Sequence, residues 1–429
     1  MAPYSPGPAV PGRHPHFPDA GTRRRVVRRR RQVAALLALV VLGGLSFGGL
    51  VLANLGDAPS VAIVHLASAP PTTTAASAPA ALPWAPAGES AVAVPVVGYA
   101  AQSGTEQPAP VASLTKVMTA YVVLHDHPLR PGQPGPAITV TPTDAQQFGN
   151  DTVTDQSNVA FHAGEQLSEL QMLQGLLVHS ANDLAYSLAG WDAGSVAAFV
   201  DEMNTTATRL GMAHTHFADA SGFAPASVST AADLLHVAAA AMRDPVFASI
   251  VTESSVTLPL AGTVSTYTPM LGTTGVVGVK SGFTTSAGGG DVLAYRTLVG
   301  GRAVTALAAV TNQEGPTVLE RAGQQALALA QAAVRPLLAS RVAARGERVG
   351  TAVVAGRRVA LVLTRDATLD LGPGATVHWQ VDVRRPPRGG APAGTVVGWA
   401  ALSVASQHVR VPVVTAAPLP VPSLLARLW

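Results

Sequence analysis

The chain contains no cysteine among its 429 residues. This absence excludes disulfide frameworks, thiol catalysis and zinc sites built on cysteine. Charged residues make up only 12% of the sequence and hydrophobic residues 48%, so the chain is too apolar to be disordered and long enough for two or three domains. The 12 histidines include no H-E-x-x-H pair, and we expect no metal and no other cofactor.

The positive charge of the chain is concentrated in one short run. The formal net charge is +3, and seven arginines lie within residues 23–31. A nucleic-acid-binding domain spreads its basic residues over a folded face, whereas this run directly precedes a long apolar stretch. We therefore expect no nucleic-acid partner.

Residues 33–55 contain no charged side chain. As a helix this stretch is about 34 Å long, enough to cross a hydrocarbon core of about 30 Å. The arginine run predicts that the preceding end stays in the cytoplasm and that the rest of the chain lies outside the cell membrane. A cleaved signal peptide is the alternative, but its apolar region normally has only about 7–15 residues. We expect an uncleaved, single-pass anchor.

Composition divides the chain into segments with different expected roles. They are a basic cytoplasmic tail at 1–32, the transmembrane anchor at 33–55, a Pro/Ala/Thr linker at 56–88, a catalytic domain at 89–338, a small β module at 345–415 and a tail at 416–429. The linker cannot bury enough surface to fold and is expected to act as an extended tether. Short valine-rich runs broken by Gly and Pro predict the β module.

The periodicity of apolar residues predicts an α+β catalytic domain. Strand patterns at its start are followed by a block of helices, then by more strands and a closing helix, an order in which the sheet is assembled from both ends. The predicted strands lie at 91–99, 276–280, 292–298 and 302–310, and the helices at 111 onward, 167–177, 184–189, 195–210, 231–242 and 317–333. Residues 128–160 are polar and predicted to be turn-rich.

Three short motifs carry candidate chemistry. Ser113 and Lys116 are three residues apart, so on a helix a desolvated lysine amine could take the serine proton. Ser180-Ala181-Asn182 follows a predicted helix and could relay a proton and hold a substrate amide, although Ser and Asn also favour ordinary caps. Lys280-Ser281-Gly282 ends a predicted strand, where Gly282 permits close approach of a substrate and the other two could bind a carboxylate.

The order of these motifs is more specific than any one of them. Penicillin-binding proteins and class A β-lactamases have S-x-x-K, then a Ser/Asn turn, then K-T-G. The wider sequence, over roughly residues 82–335, resembles the D-alanyl-D-alanine carboxypeptidases of peptidase family S11, the low-molecular-mass penicillin-binding proteins. The fragments that carry the resemblance are LPWAPAGESAVAV, VASLTKVMTAYVVL, LLVHSANDLAYSLA, LGMAHTHFADASGF, STAADL and GVVGVKSGFTTSAGG. Residues 345–415 are similar, more loosely, to the β module of many members.

The resemblance implies a fold like that of serine β-lactamases and penicillin-binding transpeptidases. That fold has an antiparallel sheet with helices on both faces and an all-helical subdomain, here followed by the small β-rich C-terminal module and preceded by a single transmembrane helix. The implied reaction removes the terminal D-Ala from peptidoglycan pentapeptide stems, and β-lactams are implied as covalent inhibitors. No cofactor is implied.

The resemblance also assigns roles to the motif residues. It implies that Ser113 is the acylated nucleophile and Lys116 the general base, with Ser180 moving protons. The implied oxyanion hole consists of the backbone N–H groups of Ser113 and Phe283. The implied substrate-binding residues are Asn182, Lys280, Ser281, Gly282 and Thr284.

The chain departs from the family pattern at three places. Ser281 stands where threonine is usual, 265–269 replaces a stretch that often contains asparagine, and 288–290 is Gly-Gly-Gly where an aromatic residue is usual. These departures keep open a catalytically weak wall-binding or sensor protein on the same fold. A serine β-lactamase is a third reading, but it needs a water-activating carboxylate, and no convincing counterpart occurs between the second and third motifs.

Overall fold

The computed structural model describes residues 20–56, 63–66, 72–73, 81–354, 356–384 and 390–421. The α-helices are α1 (Ala20–Gly56), α2 (Lys116–Asp126), α3 (Pro142–Val153), α4 (Glu169–Val178), α5 (Asn182–Ala193), α6 (Val196–Arg209), α7 (Ala231–Ala241), α8 (Pro245–Ile250) and α9 (Val318–Val334). Two 3₁₀ helices span Pro95–Val97 and Ala112–Thr115.

The strands lie between residues 63 and 415. They are β1 (Ile63–Leu66), β2 (Thr72–Thr73), β3 (Glu89–Val94), β4 (Tyr99–Ser103), β5 (Ala109–Pro110), β6 (Ala137–Thr139), β7 (Gln166–Ser168), β8 (Val228–Ser229), β9 (Ser255–Leu258), β10 (Gly262–Ser265), β11 (Val276–Thr284), β12 (Gly288–Val299), β13 (Arg302–Gln313), β14 (Leu338–Ala343), β15 (Arg348–Val354), β16 (Arg357–Leu363), β17 (Ala367–Leu371), β18 (Thr376–Val383), β19 (Val396–Val404) and β20 (Gln407–Thr415).

A five-stranded antiparallel sheet forms the centre of the catalytic region, in the order β11-β12-β13-β3-β4. Its first two strands in the chain, β3 and β4, precede the helices, and the other three follow them, which confirms that the sheet is assembled from both ends. Side chains of a strand alternate between the two faces. In β12, Val292 and Ala294 accordingly pack with the helical subdomain, whereas Leu293 packs with α9 on the opposite face.

The helical subdomain contains α2 and α5, whose first residues, Lys116 and Asn182, belong to the first and second sequence motifs. Helices α2, α4, α5, α6, α7 and α8 share one buried apolar cluster with the inner face of the sheet. A capping box begins α4, where the Ser168 hydroxyl accepts from the Gln171 N–H at 3.2 Å and the Gln171 side chain accepts from the Ser168 N–H at 2.9 Å. This architecture confirms the predicted fold class.

Helix α3 lies within 128–160, so the prediction that this segment is turn-rich was wrong for 142–153. The helix buries only Asp151, and therefore it lacks the apolar periodicity that identified the other helices. The sequence nevertheless contains a signal for the start of this helix, because Thr141 and Asp144 form a capping box. The Asp144 N–H donates to the Thr141 hydroxyl at 3.2 Å, and the Asp144 carboxylate accepts from the Thr141 N–H at 2.7 Å.

The C-terminal region is an all-β module with its own buried cluster. Its seven-stranded sheet has the order β1-β15-β16-β20-β19-β18-β2. Strands β1 and β2 belong to the segment expected to be an extended tether, and they pair with β15 and β18; the Pro/Ala/Thr composition did not indicate this pairing. The module contacts the catalytic region through an ion pair between Arg302 and Asp370 at 2.8 Å.

Helix α1 contains the expected membrane-spanning stretch. Between Arg28 and Gly49 it is long and apolar enough to cross a membrane, although a signal sequence near an N-terminus has the same properties. None of this span is buried against the rest of the protein. Residues 1–19 of the expected cytoplasmic tail and 422–429 of the expected C-terminal tail lie outside the described residues.

Glu169, at the start of α4, carries a buried carboxyl group that affects stability. Neither carboxyl oxygen has a hydrogen-bond partner within the described residues. Burial, with a smaller contribution from the negative charge of Asp192, raises the pKa of Glu169 to about 7. Because this pKa is raised above the unfolded value, the stabilisation by the neutral form is complete at acidic pH and is lost as the pH rises through about 7.

We expect Glu169→Gln to make the protein more stable at pH 8.5, because the amide cannot ionise. The gain in unfolding free energy should be about 1–2 kcal/mol at pH 8.5 and much smaller at pH 4.5. Thermal unfolding of both proteins across this pH range measures the effect. The exposed Glu314 supplies the control Glu314→Gln, which should show no such dependence; equal pH profiles for Glu169→Gln and the unsubstituted protein would contradict the interpretation.

Candidate active site

Ser113 and Lys116 meet at the junction between a 3₁₀ helix and α2. Ser113 lies on the 3₁₀ helix Ala112–Thr115, and Lys116 is the first residue of α2. The Lys116 amine is 3.0 Å from the Ser113 hydroxyl. The lysine side chain is fully buried whereas Ser113 is half-buried and borders a cleft. The expected pairing of these two groups is therefore present.

The surroundings of Lys116 favour its neutral form. Burial lowers the pKa of the Lys116 amine well below its ordinary value, and the positive charge of Lys280 lowers it further. The carboxylates of Asp219, Asp183 and Asp151 act in the opposite direction. A neutral amine has the lone pair that a general base needs to accept the proton of a serine hydroxyl.

The second motif contacts the first through Asn182. Its side-chain oxygen accepts a hydrogen bond from the Lys116 amine, and its amide nitrogen donates to Gln156 at 2.6 Å. Ser180 has a left-handed backbone with φ of 62° and lines the same cleft. In the described part of the chain its hydroxyl makes no hydrogen bond to Ser113 or Lys116, so its expected role in proton transfer stays a prediction.

The third motif lies on β11, the edge strand that faces Ser113. A Cβ atom added at Gly282 would lie 2.8 Å from the Ser113 nitrogen and 3.1 Å from the Leu114 nitrogen. Only glycine therefore lets the strand approach the backbone of Ser113 this closely. Ser281 donates its hydroxyl to the Tyr267 carbonyl at 2.7 Å, so the unusual stretch 265–269 supports the third motif.

Lys280 lies beneath the cleft rather than in its wall. Its side chain is fully buried, and the amine donates to the Ser281 carbonyl at 2.9 Å. Burial lowers the pKa of Lys280 to about 7, partly opposed by the charge of Asp291. Asp291 is itself buried, which raises its pKa to about 8, and neither of its oxygens has a hydrogen-bond partner among the described residues.

The motif residues border one cleft of about 540 Å³. One wall is the end of β11, and the other is the loop after α3 together with the second motif. Ser113, Ser180, Asn182, Ser281, Gly282, Phe283 and Thr284 all line it. The amines of Lys116 and Lys280 lie behind this lining, the first in contact with Ser113 and Asn182, the second close enough for its charge to affect Lys116.

A turn at 219–224, buried from Asp219 to Gly222, was not assigned a role from the sequence. The Ser221 carbonyl accepts a hydrogen bond from the Lys116 amine at 2.8 Å. A Cβ atom at Gly222, whose φ is 80°, would lie 1.8 Å from the Ala112 carbonyl oxygen, so this turn packs directly on the 3₁₀ helix that contains Ser113. The turn therefore helps to fix both Lys116 and Ser113.

Asp219 organises this turn. Its carboxylate accepts hydrogen bonds from the Ser221 hydroxyl at 2.7 Å, the Ser227 hydroxyl at 2.5 Å and the Gly222 N–H at 3.0 Å. Burial acts to raise the pKa of Asp219, but these donors outweigh it and the pKa is lowered. The Asp-x-Ser-Gly pattern typical of such side-chain-stabilised turns was the available signal in the sequence.

Comparison with known proteins places this geometry in a family. The model of the D-alanyl-D-alanine carboxypeptidase family, peptidase S11, matches residues 99–312. A D-alanyl-D-alanine carboxypeptidase of Streptomyces sp. strain K15 is 30% identical over 207 residues, which cover 44% of this chain and 69% of that relative. The chain belongs to peptidase family S11. The resemblance inferred from the sequence is thus confirmed.

Other relatives of the S11 chain match over shorter segments. D-alanyl-D-alanine carboxypeptidase DacC of Escherichia coli K12 is 34% identical over 141 residues, which are 31% of this chain and 33% of DacC. DacD of the same organism is 34% identical over 151 residues, 34% of this chain and 38% of DacD. The match therefore spans about a third of the length of these relatives.

Solved structures resemble this S11 protein over a larger part of the chain. DacD from Francisella tularensis has a TM-score of 0.55 at 18% identity and covers 81% of this chain and 97% of its own. A variant of the Streptomyces K15 DD-transpeptidase has a TM-score of 0.50 at 26% identity and covers 57% of this chain and 97% of its own. The first of these likenesses shows the shared fold alone.

We expect Gly282→Ala to reduce acylation of Ser113 by about 10²-fold, because the added Cβ would push β11 away from the nucleophile. Stopped-flow acylation by a chromogenic β-lactam measures the effect, and thermal unfolding measures any loss of stability. Gly190 on α5 has open space around its Cα, so Gly190→Ala is the matched control and should acylate normally. An unchanged acylation rate in Gly282→Ala would show that the close approach is unimportant.

Proposed function

We propose that this protein is a serine-type D-Ala-D-Ala carboxypeptidase that removes the terminal D-Ala from peptidoglycan pentapeptide stems through a Ser113 acyl-enzyme. The observation that carries the proposal is the contact of 3.0 Å between the Ser113 hydroxyl and the buried Lys116 amine. This pair lies at a cleft on which the other two motifs converge. Membership of the S11 family supports the same reaction.

In the proposed acylation step, the neutral Lys116 amine takes the proton of the Ser113 hydroxyl. The serine oxygen attacks the carbonyl carbon between the two D-Ala residues and forms a tetrahedral intermediate. The backbone N–H groups of Ser113 and Phe283 are assigned to its negative oxygen. The close approach of Gly282 to the Ser113 nitrogen supports this assignment, because it holds the two donors near each other.

When the intermediate collapses, the bond to the terminal D-Ala breaks and its nitrogen receives the proton that Lys116 holds, with Ser180 as the proposed relay. The carboxylate of the departing D-Ala is assigned to the hydroxyls of Ser281 and Thr284. For this the Ser281 hydroxyl exchanges its hydrogen bond to the Tyr267 carbonyl for one to the substrate, and Lys280 supplies positive charge from behind the cleft wall. Asn182 is assigned to an amide of the retained stem. Water then attacks the acyl-enzyme, again with Lys116 as the base, and releases the shortened stem.

The proposed location follows from α1. We assign α1 as a single-pass anchor in the cell membrane, with residues 1–32 on the cytoplasmic side and the catalytic domain outside, where peptidoglycan lies. The apolar, fully exposed span Arg28–Gly49 supports the anchor, and the seven arginines at 23–31 support its orientation. The segment boundaries 56–88, 89–338, 345–415 and 416–429 belong to the same proposal.

The proposed activity is tested by incubating the full-length protein in detergent with a stem pentapeptide that ends in D-Ala-D-Ala. We expect release of one D-Ala per peptide, measured by chromatography, and covalent labelling by penicillin. Labelling without D-Ala release would instead favour the catalytically weak wall-binding or sensor protein. Rapid hydrolysis of penicillin would favour a β-lactamase. Either result would overturn the proposed function.

A further inference from the structure

The lining of the active-site cleft contains one acidic side chain, and it has no assigned role. This residue is Asp155, on the loop between α3 and α4. The remaining lining residues are neutral: Ser113, Thr154, Gln156, Ser157, Ser180, Asn182, Phe223, Tyr267, Ser281, Gly282, Phe283, Thr284, Thr285 and Leu319. A single carboxylate in such a cleft is suited to recognise a positively charged group of a ligand.

The loop holds Asp155 in a defined position. Its backbone has φ of 55°, in the left-handed region that aspartate tolerates better than most residues other than glycine. The next residue, Gln156, is held by Asn182, whose amide nitrogen donates to the Gln156 side chain at 2.6 Å. The Asn182 N–H also donates to the Ser157 carbonyl at 2.8 Å. The second motif therefore fixes the loop that presents this carboxylate.

The Asp155 carboxylate is available to a ligand. The residue is exposed to the cleft, and its side chain makes no hydrogen bond or ion pair within the residues that the structure describes. Its one recorded hydrogen bond uses the backbone N–H, which donates to the Thr152 carbonyl at 3.4 Å. The loop thus fixes the backbone of Asp155 but leaves its carboxylate without a hydrogen bond or ion pair among the described residues.

The position of Asp155 relates it to one part of the substrate. The inference rests on the proposed function, in which the terminal D-Ala carboxylate is bound at Ser281 and Thr284 on β11. The retained part of the stem then extends from Ser113 along the other wall, where Asn182 and Gln156 are in contact. The residue that precedes the D-Ala-D-Ala pair has its Cα about 3.8 Å from the penultimate Cα. The inference places its side chain against the cleft-lining loop that carries Asp155.

We propose that Asp155 binds the side-chain ammonium group of a diamino acid that precedes the D-Ala-D-Ala pair. It is thereby a specificity-determining residue, which makes a stem with a free ω-amine a better substrate than one whose amine is blocked. The ammonium of lysine and that of diaminopimelate offer the same chemistry to the carboxylate. An ion pair in a partly enclosed cleft is expected to improve kcat/KM by about tenfold, less at high ionic strength.

The test compares two peptides that differ only at this amine. Nα-acetyl-L-Lys-D-Ala-D-Ala has a free ε-amine, and Nα,Nε-diacetyl-L-Lys-D-Ala-D-Ala does not; D-Ala release by the full-length protein gives kcat/KM for each. We expect the unsubstituted protein to prefer the free amine by about tenfold in low salt. In Asp155→Asn this ratio should fall to about one, and in Asp155→Lys below one. Measuring kcat/KM for the corresponding diaminopimelate peptide shows whether the side-chain ammonium of diaminopimelate is recognised as well as that of lysine.

The control is Asp201→Asn, since Asp201 is exposed on α6 and lies outside the cleft lining; it should keep the full preference. Equal kcat/KM for the two peptides in the unsubstituted protein would overturn the inference, as would a preference that survives in Asp155→Asn. If neither peptide is cleaved, the proposed function fails separately. Calorimetric binding of both peptides to Ser113→Ala then gives the affinity ratio, and a ratio of about one would overturn the inference there too.

Discussion

Ser113→Ala is expected to abolish covalent labelling by penicillin and to lower D-Ala release by about 10³-fold or more. Alanine has no oxygen that could attack the carbonyl or remain attached to the acyl group. The substitution should leave the fold intact, because Ser113 is only half-buried and its hydroxyl forms a hydrogen bond with Lys116 alone among the described side chains. Gel fluorography with labelled penicillin and chromatographic measurement of D-Ala give the two readouts.

The control for this substitution is Ser249→Ala, because Ser249 is an exposed serine on α8. It should label and turn over like the unsubstituted protein. Equal melting temperatures for the three proteins would show that a loss of labelling is not a loss of folding. Labelling that persists in Ser113→Ala would mean that another residue is the nucleophile, and the assignment of all three motifs would then be wrong.

Lys116→Met is expected to slow acylation by about 10³-fold, nearly as much as loss of the serine, because base and nucleophile act as one unit. Methionine keeps much of the volume of the buried side chain but cannot accept the serine proton. The rate constant for acylation by a chromogenic β-lactam is the relevant measurement, since acylation is the step in which Lys116 first takes a proton.

The same substitution is expected to reduce stability, for a separate reason. The Lys116 amine donates to the Asn182 side chain and to the Ser221 carbonyl, and both acceptors are buried, so each would lose a partner at about 1–3 kcal/mol. Acylation should therefore be measured well below the melting temperature of the variant. If a folded Lys116→Met protein is acylated at a rate within about tenfold of the normal rate, Lys116 is not the general base.

The sequence predicted most of the catalytic region because its buried elements have regular apolar patterns. Helices such as α4 and α7 bury continuous or periodic apolar faces, and so do the strands β11 to β13. This is the signal that predictions from sequence use. Helix α3 lacks this signal because Asp151 is its only buried residue. In the C-terminal region, β14 and β17, which pair with each other, were missed because neither contains the valine-rich run that identified the other strands.

The chemistry of the site could be predicted only as a set of residue types. The spacing of Ser113 and Lys116 indicated their contact because both belong to one local turn. The contact between Lys116 and Asn182 joins residues 66 positions apart, and the support from Ser221 joins residues 105 positions apart. Such distances depend on the packing of whole helices, and therefore neither the turn around Asp219 nor the place of Lys280 behind the cleft wall followed from the motifs.

Mass spectrometry of the full-length protein after exposure to penicillin tests the central claim, that the three motifs form one acylating centre at Ser113. The account predicts a single adduct with the mass of the intact antibiotic, and peptide mapping should place it on the fragment that contains Ser113. An unmodified protein, or an adduct on any other residue, would contradict the account.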